Sequence, residues 1–193
     1  MSPAPTRSDS LRIRAALIAE ARVMLREGGH PVALNALAHR AGVGVGTVYR
    51  HFPSSQELLE AIAFESLQEL GAQIRQAAEE ADAWAGFERV VRAQVRMEIT
   101  HVGLREVLAA VANHSDTERV KAEMAALVDD VIDRARAEGL LHAPVTATDL
   151  RDMLCGVGYA AAITPDRAEQ VAGLYVDVIL RGMRADAHRS AAE

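Results

Sequence analysis

An all-α fold is predicted by three observations. Apolar residues recur at helical spacing along most of the 193 residues. No segment alternates apolar and polar residues between turn signals, as a half-buried strand would. Glycine, proline and hydroxyl residues fall where helices should start and stop. About nine helices are expected.

Residues 1–9 (MSPAPTRSD) hold proline and hydroxyl residues without an apolar period, and read as a flexible arm. From Ser10, the residues Leu11, Leu17, Ile18, Ala21, Met24 and Leu25 define a helix that Gly28 and Gly29 end. After His30 and Pro31, two short helical units cover residues 34–41 and 45–52, separated by Gly42, Val43 and Gly44. Pro53 stops the second, and either Ser54 or Ser55 can cap the long helix that follows. Its stripe is Leu59, Ile62, Ala63, Ser66, Leu67, Leu70 and Ile74. Four or five more helices are expected. Trp84, Phe87, Val91, Val95 and Val102 mark one, and Leu104, Val107, Leu108 and Val111 a shorter one. Another starts near Asp116 and runs to Gly139; Thr146 or Thr148 caps the next, and Pro165 opens the last.

The final two helices differ from the others. Residues 171–180 (VAGLYVDVIL) are apolar nearly all round apart from Asp177, and residues 153–162 (MLCGVGYAAA) are small or apolar on several sides. Such helices need cover on both faces. A second copy of the chain is the economical cover, so a homodimer through these two helices is expected.

Composition bounds the function. Half of the residues are apolar, a quarter charged and only 4% aromatic, which suits a folded domain. The lone Cys155 excludes an intrachain disulfide, and no apolar run reaches the ~18 residues of a membrane span. Arg12, Arg14, Glu20, Arg22, Arg26 and Glu27 leave no signal-peptide apolar core, so a soluble cytoplasmic protein is expected. The net charge of −6 argues against an acidic partner, but its distribution does not. Up to Ser55, seven arginines face three carboxylates, giving +4; the remainder carries 14 basic and 24 acidic residues, giving −10. That asymmetry fits either a polyanion-binding end or a chance fluctuation of surface charge.

Residues 34–52 read LNALAHRAGVGVGTVYRHF. A helix-turn-helix needs a small residue where its helices cross, a turn residue that tolerates positive φ, and an apolar anchor on the second helix. Ala38, Gly42 and Val48 fill these places, with Leu37 and Val43 beside them in the core. The second helix can then enter a major groove while the first braces it.

The longer block AGVGVGTVYRHFPSSQELL resembles the DNA-binding signature of TetR-family transcriptional regulators, roughly A-G-V-s-x-G-T-x-Y-x-H-F-x-s-K-e-x-L. LIAEARVMLREGG also resembles that family's first helix, so the likeness spans about residues 11–62. It implies an N-terminal three-helix DNA-binding domain over residues 10–55 and a ligand-binding and dimerisation domain over residues 56–186. Residues 187–193 are expected to form a flexible tail. It also implies that Val45, Gly46 and Thr47 face base edges, where a threonine methyl or hydroxyl suits a thymine methyl or an acceptor. Tyr49 and His51 match the family's phosphate contacts, and Arg50 can add a phosphate or base contact. Ser55 stands where the family usually has Lys or Arg. A hydroxyl displaces no counterions, so a shallower salt dependence is expected unless Arg7, Arg12 or Arg14 compensates.

By the same resemblance, the acidic body is a sensor whose small-molecule effector is not named by the sequence. Polar residues on apolar helix faces are the candidates: Gln94, Glu98, His101, His114 and Tyr159. They either line a pocket or satisfy one another and water. Cys155 reads as a small hydrophobe. The competing class is a helical-bundle enzyme or metal protein using Glu98 and His101, a Glu-x-x-His pair. A di-iron site needs a second pair and two further glutamates, and no other catalytic motif is present. The expectation is therefore a non-enzymatic regulator without cofactor or metal. It would be a homodimeric repressor that releases a pseudo-palindromic DNA operator on binding its effector.

Overall fold

The computed structural model describes residues 7–28, 32–100, 115–141 and 144–185. Among these, eight α-helices and one 3₁₀ turn form, with no strand. They are α1 (Arg7–Arg26), α2 (Leu34–Arg40), α3 (Val45–His51), α4 (Ser55–Ala78), α5 (Ala83–Thr100), α6 (Ser115–Ala137), α7 (Ala147–Ala162), the 3₁₀ turn Pro165–Arg167, and α8 (Ala168–Met183). The helix expected over residues 104–111 and the tail expected over residues 187–193 lie outside the described residues.

Local chemistry sets the boundaries. α1 starts at Arg7, inside the stretch read as an arm, because Asp9 sits in its first turn and pairs with Arg12 at 3.0 Å. Gly42 ends α2 at φ +65°. Its N–H donates to the His39 carbonyl at 3.3 Å and the Val43 N–H to the Ala38 carbonyl at 3.0 Å, closing the paired bonds of a Schellman turn. Gly139 ends α6 in the same way at φ +69°, with Leu140 N–H on the Ala135 carbonyl at 3.0 Å. Ser54 rather than Ser55 caps α4, its Oγ accepting from the Glu57 N–H at 3.1 Å. Thr146 rather than Thr148 caps α7: Thr146 Oγ1 accepts from Asp149 N–H at 3.2 Å, and Asp149 Oδ2 accepts from Thr146 N–H at 2.9 Å. Hydrogen bonds from Thr146 hold the Asp149 carboxyl below its usual range. Pro165 opens the 3₁₀ turn that precedes α8, not α8 itself.

Residues up to Glu65 form one compact unit; residues 66–100 with those from Ser115 onward belong to a second. The first buries Leu17, Ile18, Ala21, Leu37, Ala38, Val48 and Phe52 against Leu58, Leu59, Ile62 and Ala63. This compact unit runs past Ser55, because the first turns of α4 complete its core.

The second unit packs Trp84, Phe87, Val90 and Val91 of α5 with Val128, Val131 and Ile132 of α6. Leu150, Leu154 and Val157 of α7 and Ala172, Val176 and Leu180 of α8 close the same core. α5 approaches closely where Gly86 permits it: a Cβ there would lie 2.7 Å from the Ala77 carbonyl oxygen. Arg134 of α6 donates to the Ala78 carbonyl at 3.0 Å and to the Glu80 carbonyl, holding the end of α4. α7 and α8 each bury one face only. Tyr159, Ile163, Leu174, Tyr175 and Val178 remain exposed. No helix among the described residues is long and apolar enough to cross a membrane.

Candidate nucleic-acid interface

α3 is a short helix held by one anchor. Val48 is fully buried, and Phe52 follows it into the core, where the Arg14 guanidinium lies 5.1 Å from its ring centre. With Val48 inward, the helical period turns the neighbouring residues out. Val45, Gly46, Tyr49 and Arg50 are exposed, and Thr47 and His51 half-buried. Six of the seven residues read as DNA contacts thus share one seven-residue helix.

Tyr49 also borders an open concavity of about 360 Å³, lined by Ala33, Leu34, Asn35, Pro53, Ser54 and Ser55. Asn35 is exposed there at the start of α2. Sequence reasoning passed over it, and only its position at a helix start could have drawn notice. Ser55, which also borders this concavity, makes an internal bond. Its hydroxyl donates to the Val32 carbonyl at 2.8 Å and is half-buried. A phosphate oxygen only accepts, and the one hydroxyl proton of Ser55 is already committed. Ser55 ties the start of α4 to Val32, two residues before α2.

The charge of this unit is also quieter than the +4 suggests. Arg14 meets Glu65 at 3.0 Å and Arg22 meets it at 3.9 Å. Arg40 bridges Glu20, at 2.6 Å, and Glu27. The bond from Arg40 lowers the Glu27 carboxyl below its usual range, and the Arg40 guanidinium is held charged in return. Counted to Glu65, seven arginines face six carboxylates, a net of +1 with −7 in the rest. Arg14, read as a possible compensating phosphate contact, is engaged with Glu65 and Phe52. Among the described residues Arg50 meets no carboxylate. It folds along its own helix, with Nε on the Gly46 carbonyl at 3.2 Å and Nη2 on Thr47 Oγ1 at 3.1 Å.

The sensor candidates are less gathered. Gln94 and Glu98 are half-buried on α5. Cys155, also half-buried, donates its thiol to Glu98 Oε1 at 3.6 Å, and a Cβ on Gly158 would come within 2.8 Å of Glu98 Cβ. Tyr159 faces outward at 58% exposure, because α7 turns Leu154, Val157 and Ala161 inward. His101 and His114 lie outside the described residues. Two open grooves run along α5 and α8, of about 230 Å³ beside Trp84, Arg92 and Arg181 and about 150 Å³ beside Val95, Arg96 and Val176; neither is lined by Gln94, Glu98 or Tyr159. Between them Arg92 bridges Glu88 at 2.7 Å and Asp177 at 3.0 Å, and these bonds raise its pKa. Asp177 is thus the polar break in α8 and an ion-pair partner.

Two family profiles match this chain. "Bacterial regulatory proteins, tetR family" matches residues 17–62, and "Transcriptional regulator SbtR-like, C-terminal domain" matches residues 79–185, more than half of the chain. The chain belongs to the TetR family of bacterial transcriptional regulators. TetR-family proteins are DNA-binding regulators rather than enzymes, so the reading of Glu98 and His101 as a catalytic pair falls. No group of three or more metal-ligating side chains among the described residues could hold a metal ion. Solved TetR-family structures share the fold. A TetR transcription regulatory protein from Mycobacterium vanbaalenii is 25% identical, with a TM-score of 0.64 over 92% of this chain and 98% of its own. A TetR transcriptional regulator from Streptomyces coelicolor is 25% identical, with 0.66 over 89% and 98%. The ketosteroid transcriptional regulator KstR2 of Mycobacterium tuberculosis is 20% identical, with 0.70 over 89% and 94%. No curated protein matches the chain in sequence.

Proposed function

We propose that this TetR-family regulator is a homodimeric repressor that reads a pseudo-palindromic operator with α3 and releases it when a small molecule binds its acidic body. The observation that carries the reading is the outward row Val45, Gly46, Thr47, Tyr49 and Arg50 around the single inward anchor Val48. Thr47 and Arg50 reach base edges. Tyr49 and His51 hold phosphate, and the open concavity that Tyr49 and Asn35 line is the place proposed for the sugar-phosphate strand. The negative body repels DNA elsewhere and leaves this face to dock.

Dimerisation is supported by the large apolar side chains that α7 and α8 leave uncovered, Tyr159, Ile163, Leu174, Tyr175 and Val178. An effector acts by binding the DNA-competent and incompetent states with unequal affinity. Gln94 and Glu98 are the best-placed polar groups for it, being half-buried on a helix whose other inward residues are apolar. With Ser55 bonded internally and Arg14 paired, salt dependence is shallow; each phosphate neutralisation forgone removes roughly 0.9 from the log–log slope.

Selection of bound sequences from random DNA tests the reading. A two-fold symmetric site is expected, and recovery of no such site overturns it. On that site Tyr49→Phe and Thr47→Ala both weaken binding, but only Thr47→Ala alters base preference. Equal losses on specific and random DNA for both would contradict these roles.

A further inference from the structure

We propose that Arg50 and Thr47 form one joint reading element, and that it selects guanine in each operator half-site. The inference rests on the assignment of α3 as the DNA-reading helix. Arg50 is placed to reach a phosphate or a base, and the two have different consequences. Its Nε donates to the Gly46 carbonyl four residues back, and its Nη2 to Thr47 Oγ1 three residues back. The guanidinium therefore lies along the segment of α3 that carries Val45, Gly46 and Thr47. Gly46 adds no side chain there, so the guanidinium and the Thr47 hydroxyl are adjacent polar groups on this patch.

Hydrogen-bond accounting then fixes what the pair can recognise. A guanidinium has five N–H groups and no acceptor. Two are used within α3. Three remain, beside the Thr47 hydroxyl proton, and one lone pair of Thr47 Oγ1 is occupied by Arg50. The patch is rich in donors and nearly without acceptors. Among base edges in the major groove, guanine offers two adjacent acceptors, N7 and O6. Adenine pairs its N7 with an N6 donor, cytosine presents a donor, and thymine has a single acceptor beside a methyl group. Donors facing the adenine or cytosine amino group would leave both unsatisfied. In this arrangement Thr47 is a positioning residue as well as a contact, because its hydroxyl holds the guanidinium in place.

The test compares sequences selected from random DNA by the wild-type chain, Arg50→Ala, Arg50→Lys, Thr47→Val and the double variant Thr47→Val/Arg50→Ala. Arg50 is exposed, and near-unchanged thermal melts would confirm folding of its variants. The expected wild-type site has one guanine per half-site. Its preference over other bases, on the order of tenfold or more, collapses in Arg50→Ala at that position alone. Arg50→Lys does not restore it, since an ammonium lacks the planar fork. Thr47→Val lowers it partly, and the double variant is no worse than Arg50→Ala at that position, the signature of coupled residues. A uniform loss across all sequences that Arg50→Lys repairs would assign Arg50 to phosphate and overturn the proposal. So would a two-fold site whose bases are unchanged by Arg50→Ala, although the DNA-reading assignment would then stand. Failure to recover any symmetric site would overturn both.

Discussion

The two units of this regulator spend their apolar residues differently. The reading unit has a small core, in which one aromatic, Phe52, and aliphatic anchors hold α1, α2, α3 and the start of α4, and its exposed residues include the proposed contacts. The body has a larger core, with Trp84 and Phe87 packed at 5.5 Å between ring centres, yet leaves large apolar side chains uncovered on two helices. The first is nearly neutral at +1 and the second carries −7. On the proposed reading, shape, a few directed donors and repulsion of DNA by the body, rather than excess positive charge, orient the reading head.

The sharpest way to break this comparison is to empty each core in turn. Truncating a buried phenylalanine costs about 3–5 kcal/mol, a large share of the ~5–15 kcal/mol that holds a domain. Phe52→Ala is expected to abolish DNA binding while α5 to α8 stay helical and self-associated, as read by circular dichroism and sedimentation. Phe87→Ala is expected to unfold the body instead. Loss of all helicity in Phe52→Ala would show that the units do not stand separately. The next effect concerns the uncovered face. Val178→Glu puts a charge where 58% of the side chain is exposed in one chain but buried in the proposed dimer. A monomer is expected by sedimentation, with operator affinity falling about 100-fold or more as avidity is lost. A dimer that survives this change would move the interface elsewhere.

Two glycines sharpen the contrast at smaller cost. Gly86→Ala would press its methyl group onto the Ala77 carbonyl and cost the body about 1–3 kcal/mol. Gly42→Ala meets open space but must hold φ +65°, which costs the reading unit about 1–2 kcal/mol. Thermal melts of the two variants measure the difference. The smallest effect is in acid. Glu27 and Asp149 both have carboxyls held below their usual range, by Arg40 and by Thr146 respectively. Such a group stabilises fully above its unfolded pKa, and the contribution fades as pH falls through the lower folded value. Glu27→Gln is expected to flatten the acid limb of the reading unit's stability curve, and Asp149→Asn that of the body. Unchanged limbs would mean that these exposed bonds are screened by solvent.

The helix-turn-helix was legible because its contacts are local. Ala38, Gly42 and Val48 lie within eleven residues, so helical period and the positive φ of Gly42 place them without reference to the rest of the chain. Helix ends at Gly28 and Gly139, the cap by Thr146 and the all-α class follow from the same short-range rules. Charge was less legible. The +4 of the first 55 residues falls to +1 once Glu57, Glu60 and Glu65 of α4 are counted in the same unit, and Glu65, far from Arg14 and Arg22 in sequence, lies against both.

The sequence by itself therefore determined the class, the family and the position of the helix-turn-helix, since each depends on residues a few positions apart. Only the tertiary structure decided the rest. It engaged the proton of Ser55 on Val32, set Cys155 against Glu98 across 57 positions, and turned Tyr159 outward. Hydrogen bonds and burial between distant segments carry no period along the chain. They exist only after the two cores have closed and fixed which face of each helix points in.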